Sequence, residues 1–590
     1  MDAILSHLNP LQQEAVTHLN GPLLVLAGPG SGKTRILTYK TAYLIQEKQV
    51  NPQNILLLTF TNKAANEMKT RILSLLGFEG PWAGTFHSFC ARLLRVEHQA
   101  AGLSPNFSIY DREDQLAAVK LALQEINVDP QKFSPSAVLN TISQAKNELI
   151  SALEYPQYAR GQFQTTVARV YLTYTRLLKE SLALDFDDLL LESVRLFHRS
   201  PETLAKYQVR YQYLLVDEYQ DTNTVQYEIT KLLAQKWSNL TVVGDASQAI
   251  YSFRGANYRH LLNLKVDFSQ LKIVNLEQNY RSTPTILTAA NQVIRQNTSH
   301  LVLKLWTTKK TGAKIKLFEA SNEMEESQFV VRQLNKNHFA SSDCAILYRT
   351  NAQSRVIEEA LLHANLAYQL VGGVRFYERK EIKDSLAYLR LINNPADKIS
   401  LKRAAKIGKK RLLSFQSFLI SLIPPISLTT FDLLEKIWEI TGYLDSFNSK
   451  DEKDLARLEN LRELKSVAAQ FPRLPDFLEN VALMEERPRQ NQKGVTLMTA
   501  HAAKGTEFAA VFIIGLEEGL FPHSRALLDK EELEEERRLC YVGLTRAKEN
   551  LYLSYARRRL YFGRRQSNPP SRFLADLPPS LIEFVKKDYL

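Results

Sequence analysis

Ala27-Gly28-Pro29-Gly30-Ser31-Gly32-Lys33-Thr34 has the residue types and spacing of a loop that wraps phosphate groups. Gly30 and Gly32 let the backbone curl so that its N–H groups point inward at phosphate oxygens. Lys33 adds a mobile positive charge for the β- and γ-phosphates, and Thr34 offers a hydroxyl to Mg²⁺. Ala27 stands where the first glycine of the pattern usually lies, and a small residue still fits there. A second group of chemically active residues is Asp217-Glu218. Asp217 is placed to hold Mg²⁺ through water, and Glu218 to orient and deprotonate an attacking water. Together these residues imply binding and hydrolysis of a nucleoside triphosphate.

Hydrolysis also needs a γ-phosphate sensor and extra positive charge in the transition state. Several segments offer them: Gly244-Asp245 leading to Gln248, Glu277-Gln278-Asn279-Tyr280-Arg281, His501-Ala502-Ala503-Lys504-Gly505-Thr506-Glu507, and Gly543-Leu544-Thr545-Arg546. With Leu8-Asn9 followed by Gln12, Thr59-Phe60-Thr61-Asn62-Lys63, Gly84-Thr85-Phe86-His87, Asp185-Phe186-Asp187-Asp188, Tyr348-Arg349-Thr350 and Gly372-Gly373-Val374-Arg375, the set resembles the UvrD/Rep/PcrA-type superfamily 1 DNA helicases. The motifs occur in the family's order over nearly the whole chain. The resemblance implies ATP and Mg²⁺ as cofactors and a nucleotide site made of Gln12, Ala27, Gly28, Pro29, Gly30, Ser31, Gly32, Lys33, Thr34, Arg35, Tyr280, Arg281, Glu507 and Arg546. In it Gln12 reads adenine, Tyr280 stacks on it, Glu507 touches the ribose, Gln248 senses the γ-phosphate, and Arg281 and Arg546 are arginine fingers. Lys33, Glu218, Gln248, Arg281 and Arg546 are then the catalytic set, with Thr34 and Asp217 on the metal.

The resemblance also implies a partner, single-stranded DNA and its junctions with duplex. Grip without sequence preference comes from base stacking and backbone phosphates. Phe60, Phe186, Tyr251 and Phe253 are the stacking candidates, and Thr85, His87, Arg254 and His501 the polar ones. The run Lys398, Lys402, Arg403, Lys406, Lys409, Lys410, Arg411 is the densest basic cluster, read either as a solvated helix face or as a clamp on duplex. Arg557-Arg558-Arg559 and Arg564-Arg565 form a further candidate phosphate track.

These residues must be held by strands and helices. Leu23-Leu24-Val25-Leu26, Tyr213-Leu214-Leu215-Val216 and Thr241-Val242-Val243 read as buried strands, each delivering a motif from its C-terminal end. Thr34 and Asp217 lie too far apart for one crossover, so something is inserted between them. The expected class is α/β, with two RecA-like P-loop cores, each carrying a mainly helical insert. By the family pattern, 1–111 and 187–276 form core 1A around helical insert 1B at 112–186, which includes helices at 114–126 and 165–184. Core 2A is then 277–379 and 493–590 around a shortened insert 2B at 380–492.

The 590 residues suggest about four compact units. An apolar share of 45% excludes a disordered chain, and a net charge of +12 suits polyanionic partners. Cys90, Cys344 and Cys540 show no metal spacing and read as small apolar residues in a reducing, cytoplasmic setting. The apolar stretch from Phe418 to Leu428, interrupted by Pro424-Pro425, is too short to span a bilayer. The expected activity is an ATP-dependent 3′→5′ DNA helicase or single-strand translocase serving repair, replication or recombination, with repair proteins or a second copy as partners. The alternatives are a translocase that strips proteins from DNA with weak unwinding, the motor subunit of a helicase–nuclease, for whose nuclease domain the chain leaves no room, and a DNA-binding switch that has lost hydrolysis.

Overall fold

The computed structural model describes residues 2–130, 132–336, 339–421, 428–448, 451–485, 494–561 and 564–586. The chain divides into two units, Met1–Arg281 with His300–Thr308, and Ser282–Ser299 with Lys309–Leu590.

The first unit is built on six strands: β1 (Leu23–Ala27), β2 (Ile55–Thr59), β3 (Trp82–Thr85), β4 (Tyr213–Val216), β5 (Leu240–Gly244) and β6 (Lys272–Leu276). They pair in the order β3-β2-β4-β5-β1-β6, every pair parallel. The central strands β1, β2, β4 and β5 are mostly apolar because both faces of the sheet are covered there, whereas the edge strand β6 carries Lys272 and Asn275. Alternate side chains go to opposite sides. Leu23, Val25, Leu57, Leu215 and Val243 enter one core, while Leu24, Leu56, Leu58, Leu214, Val216 and Val242 enter the other. A parallel sheet puts every C-terminal strand end on one edge, so β4, β5 and β1 deliver their following loops side by side.

Between β3 and β4 lies a helical insertion, Arg112–Glu125, Pro135–Asn147 and Gly161–Glu180, with its own core around Val119, Ile142, Val167 and Tyr171. It leaves and re-enters through two short parallel strands, Ser108–Tyr110 against Ala183–Asp185. The helix expected to reach Leu184 therefore ends at Glu180. Leu182 takes a left-handed φ of 48°, which breaks the helix and turns the chain into the strand. Asp185 then caps the helix Phe186–Arg199 by accepting from the Asp188 N–H. Lys146 of the insertion is fully buried, 2.6 Å from Asp185 and 2.7 Å from Asp188. Burial opposes its charge, but the two carboxylates hold its pKa above the ordinary lysine value.

The main sheet of the second unit has seven strands: β7 (Ile315–Ala320), β8 (Cys344–Tyr348), β9 (Tyr368–Leu370), β10 (Val495–Thr499), β11 (Phe508–Ile513), β12 (Ala547–Ala556) and β13 (Ile582–Phe584). Their order is β9-β10-β8-β11-β12-β7-β13, again all parallel. The helices Lys380–Asn393, Lys398–Ile407, Lys409–Ser421, Thr430–Thr441, Glu452–Gln470 and Leu474–Glu485 separate β9 from β10 and share one core. Buried polar bonds tie Glu452–Gln470 to the sheet side of the unit. Arg355 reaches Glu463 at 2.7 Å, Arg379 reaches Asn460 at 2.7 Å, and the His523 ring lies 3.1 Å from Glu459.

Two basic clusters change meaning here. Arg559 is buried between Glu326 and Glu517, 2.6 Å from each, so it staples the unit and is withdrawn from any phosphate track. Within the Lys398–Arg411 run, Arg403 pairs with Asp384, and Arg411 donates to the carbonyls of Thr441 and Gly442. Lys398, Lys402, Lys406, Lys409 and Lys410 remain exposed, on two helices that meet at Gly408. Of the apolar stretch from Phe418, residues 422–427 lie outside the described residues. Among the described residues no helix is long and apolar enough to cross a membrane.

Candidate nucleotide and nucleic-acid site

The glycine loop leaves β1 and enters the helix Lys33–Gln46, whose N-cap, Gly32, has a left-handed φ of 95°. A helix start pointing at the loop favours bound anions. Gly30 also has positive φ, 68°, and a Cβ there would come within 2.7 Å of the Arg281 Cβ. The backing of the loop explains that crowding. Asn279 donates to the Pro29 carbonyl at 2.7 Å, and the Tyr280 N–H donates to the Gly30 carbonyl at 2.9 Å. Ser31 is buried and donates to the Gly28 carbonyl at 2.7 Å. Ala27 is buried at the end of β1, where its small side chain suffices.

Gln12 is 1% exposed. Its carboxamide donates to the Ser31 carbonyl at 3.0 Å and accepts from the Asn9 N–H at 3.1 Å, so it braces the loop. The Tyr280 ring is 44% exposed, with its hydroxyl bonded to Asn9 and Gln278. Arg35 donates to the His7 carbonyl and lies over the Tyr39 ring.

At the end of β4 the carboxylates sit against the loop. Thr34 donates to Asp217 at 3.3 Å, and the Lys33 ammonium lies 3.9 Å from Glu218. Burial, and then the charge of Glu218, push the Asp217 carboxyl up to about 7, against the pull of Lys33. A hydroxyl and a carboxylate short of positive charge are hard-oxygen donors of the kind Mg²⁺ takes. When bound, the ion would neutralise phosphate charge. Glu218 holds a left-handed φ of 51°, a conformation costly for a side chain of its type and frequent at functional positions.

After β5, Asp245 is buried and accepts from Gln248 Nε2 at 2.7 Å and from the Ser247 N–H at 3.0 Å. Sequence reasoning passed over two residues that complete this arrangement. Asn279 holds the back of the loop. Gln220, fully buried, donates to Glu218 at 2.6 Å and accepts from the Asp245 N–H at 3.0 Å. Asn279 lies inside the segment Glu277–Arg281 already singled out, where it has no assigned role, and Gln220 lies two residues after Glu218; those positions are the signal available in the sequence.

The same sheet edge carries aromatics beyond the nucleotide loop. Phe60, just after β2, stacks on Tyr251 with ring centroids 5.7 Å apart, and Tyr251 meets Phe253 edge-on at 6.0 Å. Phe253 is 46% exposed and Phe186 is 47% exposed, with the His87 ring against the latter at 5.8 Å. Burial lowers the pKa of His87, so it favours the neutral ring. Thr85 is buried, and its hydroxyl accepts from the Ser88 N–H to cap the helix Phe86–Val96, which positions His87. The Arg254 side chain lies outside the described residues.

Three site candidates belong to the second unit. His501 follows β10 at the C-terminal edge of that sheet, and Glu507 is exposed and paired with Lys548 at 2.8 Å. Arg546 is buried, with its guanidinium donating to the Val542 and Thr506 carbonyls and to the Thr545 hydroxyl.

Comparison with known proteins follows the same division. The UvrD/REP helicase N-terminal domain matches residues 8–269, and the UvrD-like helicase C-terminal domain matches 274–436 and 427–558. The ATP-dependent DNA helicase PcrA of Bacillus subtilis (strain 168) is 46% identical, over 98% of this chain and 87% of that protein. The protein of the same name from Staphylococcus aureus (strain Mu50) is 43% identical, over 99% of this chain and 88% of its own length. The first alignment runs over 645 positions, more than the 590 residues present here, so the relative has segments without a counterpart. With two parallel sheets, a phosphate loop backed by Asn279 and Tyr280, and these matches over both halves, the chain belongs to the UvrD/Rep-type helicase family.

Proposed function

We propose that this chain is an ATP-dependent DNA helicase that moves 3′→5′ along single-stranded DNA. One observation carries the coupling of chemistry to movement. The loop after β5 begins at Asp245, beside the nucleotide carboxylates, and ends at Tyr251 and Phe253, beside Phe60. A shift of a base stacked on that loop would be felt at the hydrolytic group, and the reverse also holds.

In this reading Lys33 and the loop hold the triphosphate, and Thr34 and Asp217 hold Mg²⁺. Glu218 activates water, Gln248 senses the γ-phosphate, and Arg281 is an arginine finger. Gln12 and Tyr280 border the base. Arg546 as an arginine finger, Glu507 as a ribose contact and His501 as a DNA contact rest on the family resemblance. Such a finger is worth about 10³–10⁵ in rate. The domains are read as 1A, 1B, 2A and 2B as delimited above, with a cytoplasmic setting in DNA repair, replication or recombination. The five exposed lysines around Gly408 are read as the duplex contact.

Segments present in the Bacillus relative and absent here favour a second reading, a translocase with weak unwinding that strips proteins from DNA. Strand displacement on 3′-tailed, 5′-tailed and blunt duplexes, with and without ATP, separates the two. ATP-dependent displacement on the 3′-tailed duplex alone is the expected result. Displacement only from a 5′ tail refutes the direction. Single-strand-dependent ATP turnover without displacement favours the second reading.

A further inference from the structure

The Gln220 side chain joins two groups that belong to different steps. Its Nε2 donates to Glu218 Oε2 at 2.6 Å, and its Oε1 accepts from the Asp245 N–H at 3.0 Å. The partners leave no ambiguity about which end of the amide is which, because a carboxylate only accepts and an N–H only donates. A carboxamide is the side-chain group that offers a donor and an acceptor on one rigid plane, and asparagine is a methylene too short to span the same partners. Gln220 has no solvent exposure, so neither bond is exchanged with water. The surroundings are shaped to it. A Cβ on Gly244 would lie 2.9 Å from Gln220 Oε1 and 3.4 Å from its backbone nitrogen, so the glycine keeps the channel open.

We propose that Gln220 is a positioning residue that sets the orientation of Glu218 according to the state of the DNA-binding loop. The inference rests on the reading of Glu218 as the group that activates water. Asp245 begins the segment that continues through Gln248 to Tyr251 and Phe253. Displacement of that segment pulls on Oε1 and, through the planar amide, turns the carboxylate bonded to Nε2. Glu218 stands on a left-handed backbone with the Lys33 ammonium 3.9 Å away, and the short bond from Gln220 is a further constraint on where its carboxylate points. The expected consequence is that single-stranded DNA accelerates hydrolysis through this bond without altering how tightly ATP is held.

The test uses the full chain, ATP and an oligothymidylate. Three variants are measured for kcat, the KM for ATP and oligonucleotide affinity: Glu218→Gln, Gln220→Leu and Gln220→Met. Glu218→Gln should abolish turnover with and without DNA, and substantial turnover in it refutes the underlying reading whatever Gln220 does. Gln220→Met keeps the length of the side chain but can neither donate to Glu218 nor accept from Asp245, so it keeps the test open if the leucine variant does not fold. Both Gln220 variants should lose about tenfold to a hundredfold in DNA-stimulated kcat, with the KM for ATP and DNA affinity within about twofold of the parent. A DNA-stimulated kcat near that of the parent in Gln220→Met overturns the proposal. So does a KM that rises in step with the loss of kcat.

Discussion

Replacing Lys146 with methionine keeps the length of the side chain and removes the charge from a closed site. In the parent, Lys146 sits between Asp185 and Asp188, and Tyr174 donates to Asp185 at 2.8 Å. Truncating one member of a buried ion pair costs about 3–5 kcal/mol, because the other charge is left without compensation. Proton linkage gives a second estimate. In the parent the Asp185 carboxyl is held below its ordinary value of 3.8: burial, the largest influence, raises it, but the charge and hydrogen bond of Lys146, with the bonds from the Asp188 N–H and Tyr174, together outweigh burial. Without Lys146, burial and the neighbouring carboxylate reverse the shift, and Asp185 must take up a proton to stay buried. Protonating a carboxyl of ordinary pKa 3.8 at pH 7 spans about three units, or about 4 kcal/mol at 1.4 per unit. The sign follows from proton counts. In the variant the folded state binds more protons than the unfolded one above about pH 4, so its stability falls as pH rises, whereas in the parent the contribution of the same carboxylate is complete by about pH 4 and stays constant above it. The deficit should therefore grow from small near pH 4 to about 4 kcal/mol near pH 7, by about 1.4 kcal/mol per pH unit. Urea denaturation of parent and Lys146→Met at several pH values measures it. A deficit below about 1 kcal/mol at pH 7, or one that does not change with pH, refutes the argument.

Lys33→Ala should abolish ATP hydrolysis while oligonucleotide binding, followed by fluorescence anisotropy, stays within about twofold; strong residual turnover removes the phosphate-loop assignment. Phe253→Ala, which deletes a half-exposed ring at the end of the Phe60–Tyr251 stack, should weaken oligonucleotide binding by about 1–3 kcal/mol and slow translocation more than it alters the KM for ATP. Unchanged translocation per ATP hydrolysed, with parental affinity, removes the stacking role. Lys40 is buried, donates to the Ala15 and His18 carbonyls, and has its pKa pushed down to about 7 by burial and by Lys272. The unfolded lysine keeps its proton to about 10, so between these values the unfolded state binds more protons and the fold gains stability as pH rises. Denaturation between pH 7 and 9 should show a positive slope of up to about 1.4 kcal/mol per unit from this group, absent in Lys40→Met; an equal slope in both removes the assignment.

The motifs that were legible in the sequence are those whose chemistry is contiguous. The turn after Leu23–Ala27 and the pair after Tyr213–Val216 announce themselves because an apolar strand must be followed by its polar edge. What escaped is held by partners distant in the chain. Asn279 acts on Pro29, 250 residues away, and Lys146 on Asp185, 39 residues away. Arg559 resembles a phosphate ligand until Glu326, 233 residues earlier, is seen beside it. Arg403 and Arg411 likewise count as positive charge in a run of letters, yet they are consumed by Asp384 and by helix carbonyls. Charge clusters overstate the free cations because pairing is a tertiary property. The end of the insertion departs from the helical expectation for a related reason: Ala183–Asp185 is a strand only because Ser108–Tyr110 is there to pair with it.

That pairing has an architectural consequence. Two strands in one ladder stand about 4.8 Å apart, so the departure and return of residues 111–182 occupy adjoining berths. Topologically the core meets the whole insertion as a bridged gap of a single peptide's width. An insertion of this kind behaves as a plug-in module whose loop closure is achieved at the socket, while Ser143 and Asn147 dock it on Asp187 and Asn223 of the core. Lys146 sets the terms of exchange. A replacement module must either bring a cation to the same socket or arrive together with neutral residues at Asp185 and Asp188.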